Sequence, residues 1–300
     1  MLTRRSLLGG AGSALFPGRL RAANTFSKAI GLQLYTLRRL LPRRAREALE
    51  RAAEIGYEEV ETLPGGSREL ESYFQEFGLR PVSGHWEAPL VTENWAAWNR
   101  QFPTGQPPGY NWDAAIETSA RMGMRFMVIP YLMPRERLGP DRFIRFAERM
   151  NRAGEKTKAA GIRLCYHNHG YEFAGWSKKS TPFDLLMDNF DPGLVSWELD
   201  VFWCGLAGVD PAAILEKHPG RIPLLHLQDK RKGARKLTEE RMATFDLFQE
   251  VGAGELDFAA ILRAADEAGV EHYFVEQDEF EDGPLGSIRR SYDYLRALEL

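Results

Sequence analysis

Residues 162–173, IRLCYHNHGYEF, and 194–203, LVSWELDVFW, contain two short β-type runs, 162–168 and 194–201. Each run leads into acids or imidazoles, and a helical stretch at 182–189 lies between them. A strand, a crossover helix and a second strand of the same kind make a parallel βαβ unit. Outward from this unit the alternation continues in both directions. Strands are predicted at 30–36, 57–62, 80–86 and 125–131 before it, and at 222–227 and 272–277 after it. Helices are predicted at 42–55, 67–77, 112–122 and 141–160, each followed by a glycine suited to a C-terminal cap, and at 210–217, 257–268 and 286–298. Eight strands alternating with eight helices close on themselves, so the expected fold class is α/β, a single (β/α)8 TIM barrel.

The 300 residues, 44% hydrophobic and 27% charged, are enough for one large core in an ordinary globular protein. The net charge is −3, and it includes Arg4, Arg5, Arg19 and Arg21 in a leader without acids, so removing that leader leaves −7. Such a surface repels phosphate backbones and anionic lipids, which makes nucleic acid an unsuitable partner. The leader reads Thr3-Arg4-Arg5-Ser6-Leu7-Leu8, then a Gly- and Ala-rich apolar stretch, then Arg-Leu-Arg-Ala-Ala. This predicts a twin-arginine export signal over 1–23, a barrel domain over 24–300, and a periplasmic or secreted protein. No later stretch reaches membrane-spanning length, so no membrane insertion is expected; a homo-oligomer is compatible with the composition. Cys165 and Cys204 are too few for a disulfide framework, and neither is given a catalytic role.

Two connections exceed ordinary loop length, 88–111 and 228–256, and in such a barrel both leave the C-terminal strand ends. The first holds Trp95, Trp98, Phe102 and Tyr110, with Trp112 directly after it, either as an aromatic lid over sugar rings or as anchors of the loop. The second carries a basic run and later acids, read as a solvated charged segment apart from Lys230. Barrel chemistry sits at the C-terminal strand ends. There the last four strands supply His167, His169 and Glu172, then Glu198 and Asp200, then His226 with Asp229 behind it, then Glu276, Asp278 and Glu279. Alternation along a strand turns Glu198 and Asp200 the same way, and likewise Glu276 and Asp278. Two Glu, one Asp and one His from four adjacent strands suit one divalent ion, with Mn²⁺ the first expectation and Mg²⁺, Co²⁺ or Zn²⁺ alternatives. Without a cation, three carboxylates crowded in an apolar barrel would oppose one another's ionisation.

Taken in order, GLQLYTLR at 31–38, YHNHGYEF at 166–173, WELDVFW at 197–203, RIPLLHLQDK at 221–230, VGAGELDF at 251–258 and YFVEQDE at 273–279 resemble the sugar phosphate isomerase/epimerase family of xylose-isomerase-like TIM barrels. The resemblance implies a metal held by Glu172, Asp200, His226 and Glu276, with Glu172 and Glu276 doubling as proton-transfer groups on opposite faces of a sugar. It further implies substrate contacts from His169, Trp203, Asp229 and Lys230, and weaker ones from His85 and Glu61. His167 is expected as a structural partner, and His218 and His272 as scaffold. Many relatives have Lys where this chain has Gln228, and no Gly-rich phosphate loop is present, so an unphosphorylated carbohydrate is expected.

The implied reaction is removal of a carbon-bound proton beside a carbonyl, through a metal-stabilised enediolate. Return of the proton gives an isomerase or epimerase, the leading expectation. Departure of a β-substituent gives a lyase or dehydratase acting on keto-sugars or keto-glycosides. A non-catalytic exported sugar-binding barrel is the remote alternative.

Overall fold

The computed structural model describes residues 25–64, 68–102, 106–176 and 180–300. The expected export signal lies outside the described residues.

All eight predicted strands form: β1 (Gly31–Gln33), β2 (Glu59–Thr62), β3 (Arg80–His85), β4 (Phe126–Ile129), β5 (Arg163–His167), β6 (Val195–Asp200), β7 (Leu224–Leu227) and, last in the barrel, β10 (His272–Val275). They pair in parallel around a closed ring, β10 meeting both β7 and β1. Two further short strands, β8 (Asp229–Lys230) and β9 (Phe248–Gln249), form an antiparallel ribbon outside the ring.

Strand alternation divides the core into two layers. Leu164, Tyr166, Trp197, Leu199, Leu225 and Leu227 belong to the large apolar cluster shared with the surrounding helices. Their neighbours turn inward: Cys165 packs with Val82, Phe126, Val128, Leu224 and Phe274 as a small plug inside the barrel. One step further along β5, β6, β7 and β10, the same inward parity presents His167, Glu198, His226 and Glu276. The plug is the apolar floor on which the polar cluster rests.

The predicted helices appear as Leu41–Ile55, Arg68–Phe77, Trp112–Arg121, Pro140–Ala159, Pro182–Asn189, Pro211–Lys217, Phe258–Ala268 and Pro284–Ala297. The first ends at Gly56, whose φ of 119° is open to glycine and whose amide donates to the carbonyls of Ala52 and Ala53. A helix not foreseen, Val201–Leu206, starts directly on the end of β6 with Asp200 as its N-cap. Among the described residues no helix is long and apolar enough to cross a membrane.

Candidate active site

The cluster is built from the strand ends inward. On β5, Nδ1 of His167 lies 3.1 Å from Glu198 Oε2 on β6. The same oxygen is 3.1 Å from Nε2 of His85 on β3 and 3.3 Å from Nε2 of His226 on β7. One carboxylate oxygen thus fixes three imidazoles. His226 is gripped again by Glu276 Oε2 on its Nδ1 (2.7 Å) and by Glu61 Oε2 on its Nε2 (2.6 Å). Glu61 is itself held by Ser83 Oγ (2.5 Å) and Gln33 Nε2 (2.6 Å), which donate to it.

Charge is distributed unevenly over this set. Burial opposes a charged His85, but Glu61 and Glu198 outweigh it and push the imidazole up to about 10. Burial likewise opposes a charged His226, yet Glu198, Glu276 and Glu61 hold it well above the ordinary histidine range. For Glu198 and Glu276, burial favours the neutral acid, but the His226 imidazolium prevails and lowers both. At Asp200 the balance is reversed: burial, reinforced by Glu276, outweighs His226 and pushes it up to about 8. The Trp203 N–H donates to its Oδ1 at 2.8 Å, while the buried Oδ2 has no hydrogen-bond partner. A buried carboxylate with one orphaned oxygen and no hydrogen-bonded cation is where a metal ion is wanted.

Two groups of four place all their candidate ligand atoms within 4.8 Å of one another: His85, His167, Glu198 and His226; and His167, Asp200, His226 and Glu276. The second fits a metal better. Each group contains one orphaned carboxylate oxygen, Asp200 Oδ2 or Glu198 Oε1, and two members that line the cavity above, so the choice rests on what holds the other carboxylate oxygen. Glu198 in the first group is fully buried and already shared by three rings. A carboxylate on the far nitrogen of a ligating histidine fixes ring orientation and raises ligand basicity, which is the place Glu198 takes behind His167. The donors, two imidazoles and two carboxylates, suit Mn²⁺, Co²⁺ or Zn²⁺.

The geometric grouping differs from the expected ligand set at one position. Glu172 stands five residues beyond the end of β5, on a 3-10 turn (Gly170–Phe173), and does not join the cluster. Tyr166 donates its hydroxyl to Glu172 Oε1 (2.5 Å) and the His169 N–H donates to Oε2 (2.8 Å), so the side chain braces the turn carrying His169. It does not line the cavity, which removes the geometric basis for its expected role in proton transfer. β5 instead contributes His167.

Of the expected substrate contacts, His85, His169 and Trp203 line a cavity of about 1440 Å³ above the cluster. Glu61 lies beneath the cluster, fully buried against His226. Asp229 and Lys230 face elsewhere: neither lines this cavity, and Lys230 reaches Glu255 at 2.9 Å. Asp229 is consumed in backbone capping. Its Oδ1 accepts the N–H groups of Lys230, Glu255 and Leu256 (2.8, 3.0 and 3.0 Å), and its Oδ2 those of Gly252 and Gly254 (3.2 and 2.8 Å). Gly254 is required there, since a Cβ would collide with the Lys230 carbonyl and the Asp229 carboxylate. Asp229→Ala should therefore act on stability: charge-assisted hydrogen bonds are worth about 1.5–3 kcal/mol each, and if only two of the five N–H groups are left without a replacement partner the loss is already about 3 kcal/mol. With an unfolding entropy of about 2.1 cal/mol/K per residue, that lowers Tm by roughly 5 °C. An unchanged thermal melt would show that the cap is dispensable.

The rim comes from both long loops. In the first, Trp98 and Phe102 line the cavity, while Trp95, Tyr110 and Trp112 pack on the main core, with Trp112 Nε1 donating to Ala153 O (3.2 Å). The anchoring reading thus describes Trp95, Tyr110 and Trp112, while Trp98 and Phe102 stand at the cavity. The second loop is more than a solvated charged segment: Glu239, Glu240, Arg241, Ala243, Phe245 and Phe248 wall the cavity. Glu240 receives Tyr131 OH (2.7 Å) and a two-pronged Arg137, whose guanidinium lies 3.5 Å from the Tyr171 ring centroid. Gln228 is fully buried and away from the cavity.

A parallel eight-stranded barrel whose C-terminal mouth opens over buried imidazoles and carboxylates defines the class: a TIM barrel with a site able to hold a metal. A family model described as xylose isomerase-like TIM barrel matches residues 49–298, and the chain belongs to that family. A sugar phosphate isomerase/epimerase from Parabacteroides distasonis is 27% identical, with a TM-score of 0.72, over 93% of this chain and 96% of that one. An inosose dehydratase from Geobacillus thermodenitrificans is 32% identical over 157 residues, 49% of this chain and 51% of the relative. The chain spans about half the length of the curated relatives it matches. The IOLI protein, crystallised with a bound zinc atom, shares the fold at a TM-score of 0.64 and 14% identity, over 88% of this chain and 95% of that one.

Proposed function

We propose that this protein is a divalent-metal-dependent isomerase or epimerase of an unphosphorylated, carbonyl-bearing carbohydrate, working by proton transfer next to the carbonyl. The observation that carries the reading is the convergence of His167, Asp200, His226 and Glu276 under a large cavity, with one Asp200 oxygen left unpaired. When bound there, a divalent ion supplies Lewis-acid polarisation of the substrate carbonyl, which acidifies the neighbouring C–H. Manganese is the first candidate, and zinc, the metal of the IOLI protein, the second.

The chain's own groups divide the remaining work. Glu276 lines the cavity with its pKa lowered, so it enters as a carboxylate able to take the carbon-bound proton. His169 and His85 line the wall on either side of His167, placing imidazoles toward the substrate on the sides of β5 and β3. Trp203, packed on His169 with ring centroids 5.4 Å apart, offers a flat apolar surface to a ring. Glu198 and Glu61 hold the imidazoles in place from below.

A second outcome from the same proton removal, loss of a β-hydroxyl as water, is favoured by the curated relatives, which are named inosose dehydratases. Product analysis with a keto-inositol separates the two: an enone or its diketone tautomer marks elimination, and a new stereocentre or shifted carbonyl marks isomerisation. In either case, stripping divalent metal with a chelator should abolish solvent deuterium uptake into the substrate, and adding back Mn²⁺ or Zn²⁺ should restore it. Uptake that persists in metal-free protein refutes the reading. Export through the 1–23 leader is a separate proposal, tested by cell fractionation of the tagged full chain.

A further inference from the structure

The exposed apolar residues of this protein are not scattered. Among the described residues, six large hydrophobic side chains are exposed, and four of them, Tyr35, Phe102, Leu138 and Phe245, line the mouth of the cavity. They come from four different segments, after β1, β3, β4 and in the connection from β7 to β10, so no single loop accounts for their meeting. Apolar side chains gathered at one opening and rimmed by charge mark a surface kept for a ligand.

Size and charge narrow the ligand. The cavity, about 1440 Å³, exceeds the roughly 300–1,000 Å³ of sites that enclose a drug-sized molecule, and a single sugar ring at the polar floor would leave the outer part empty. Every arginine on the wall is already committed: Arg38 to the Asp278 carbonyl (2.6 Å) and Glu279 (3.3 Å), Arg137 to Glu240, and Arg241 to Glu239 (3.0 Å). No lysine lines the cavity among the described residues. A phosphate or carboxylate entering here finds no unpaired cation.

Resting on the proton-transfer reading for its inner half, we propose that the mouth is an outer subsite for the second, uncharged ring of a glycoside, stacked on Tyr35, Phe102 and Phe245 while the carbonyl-bearing ring sits on the metal-site floor. The substrate class is then a neutral keto-glycoside rather than a free or phosphorylated monosaccharide.

The test is calorimetric titration of metal-loaded protein with methyl and phenyl 3-keto-β-D-glucopyranoside, which share the inner ring and differ in what reaches the mouth. In the wild type the phenyl compound should bind about tenfold more tightly. In Leu138→Ala/Phe245→Ala that advantage should vanish while methyl-glycoside affinity is kept, which also shows the variant is folded. Equal affinities in the wild type, a phenyl preference that survives the double variant, or failure of both probes to bind would overturn the subsite. So would sedimentation showing a wild-type dimer that the double variant dissociates, since a second copy would then cover the mouth. Failure of the proton-transfer reading shows differently, as absence of deuterium uptake with either probe whatever their affinities.

Discussion

His167→Ala should lose divalent metal by on the order of 100-fold or more in affinity, whereas Glu172→Gln should keep wild-type metal stoichiometry. The expectation follows from the placement of the two side chains: His167 points inward with Asp200, His226 and Glu276, while Glu172 is spent on Tyr166 and the His169 amide. Even partners behind the ligands typically cost 10–100-fold in metal affinity when removed, so an imidazole within the set should cost at least as much. Metal content of the purified variants after dialysis reads this directly. A metal-free Glu172→Gln beside a fully loaded His167→Ala would reverse the assignment. Glu172→Gln should still lower Tm, because a buried carboxylate that accepts two hydrogen bonds is replaced by an amide that cannot accept both.

The second large effect is expected at Glu276. Glu276→Gln preserves size and one oxygen for a metal but removes the base, so solvent deuterium exchange at the substrate carbon should fall by about 10²–10⁴-fold. Metal occupancy, measured on the same preparation, must stay largely intact for the result to speak to proton transfer rather than to ligand loss. Exchange at the wild-type rate in metal-loaded Glu276→Gln would exclude this carboxylate as the base and move attention to His169 or His85.

The barrel was legible because its signals are local. The strands are short runs, mostly apolar though β2 (EVET) is not, each of the first four predicted helices is followed by a glycine, and Gly56 shows the left-handed cap that such a residue permits. The inward placement of Asp200, His226 and Glu276 was legible for a related reason: they lie at strand ends, with side-chain direction fixed by parity. The same parity, counted from Cys165 among the apolar inward residues, points to His167 and not to Glu172. The resemblance drew attention to the acid in YHNHGYEF, but β5 ends at His167 and the chain then turns at Gly170. Asp229 was misread because the same position behind His226 fits either a substrate contact or a cap, and only the return of residues 252–256 distinguishes them. The wall formed by Glu240 was not legible at all. Its partners Arg137 and Tyr131 are more than a hundred residues away, and no local pattern encodes such a pairing.

The Asp229 cap has a bearing on how such a barrel can diversify. It pins residues 252–256 to the end of β8, and the ribbon of β8 with β9 closes the loop's neck, so residues 231–247 form an excursion whose two ends are fixed to the scaffold. Length and composition within that excursion can change without disturbing His226, three residues before the cap. One of the segments that wall the cavity is thereby separately mutable from the imidazoles and carboxylates beneath it.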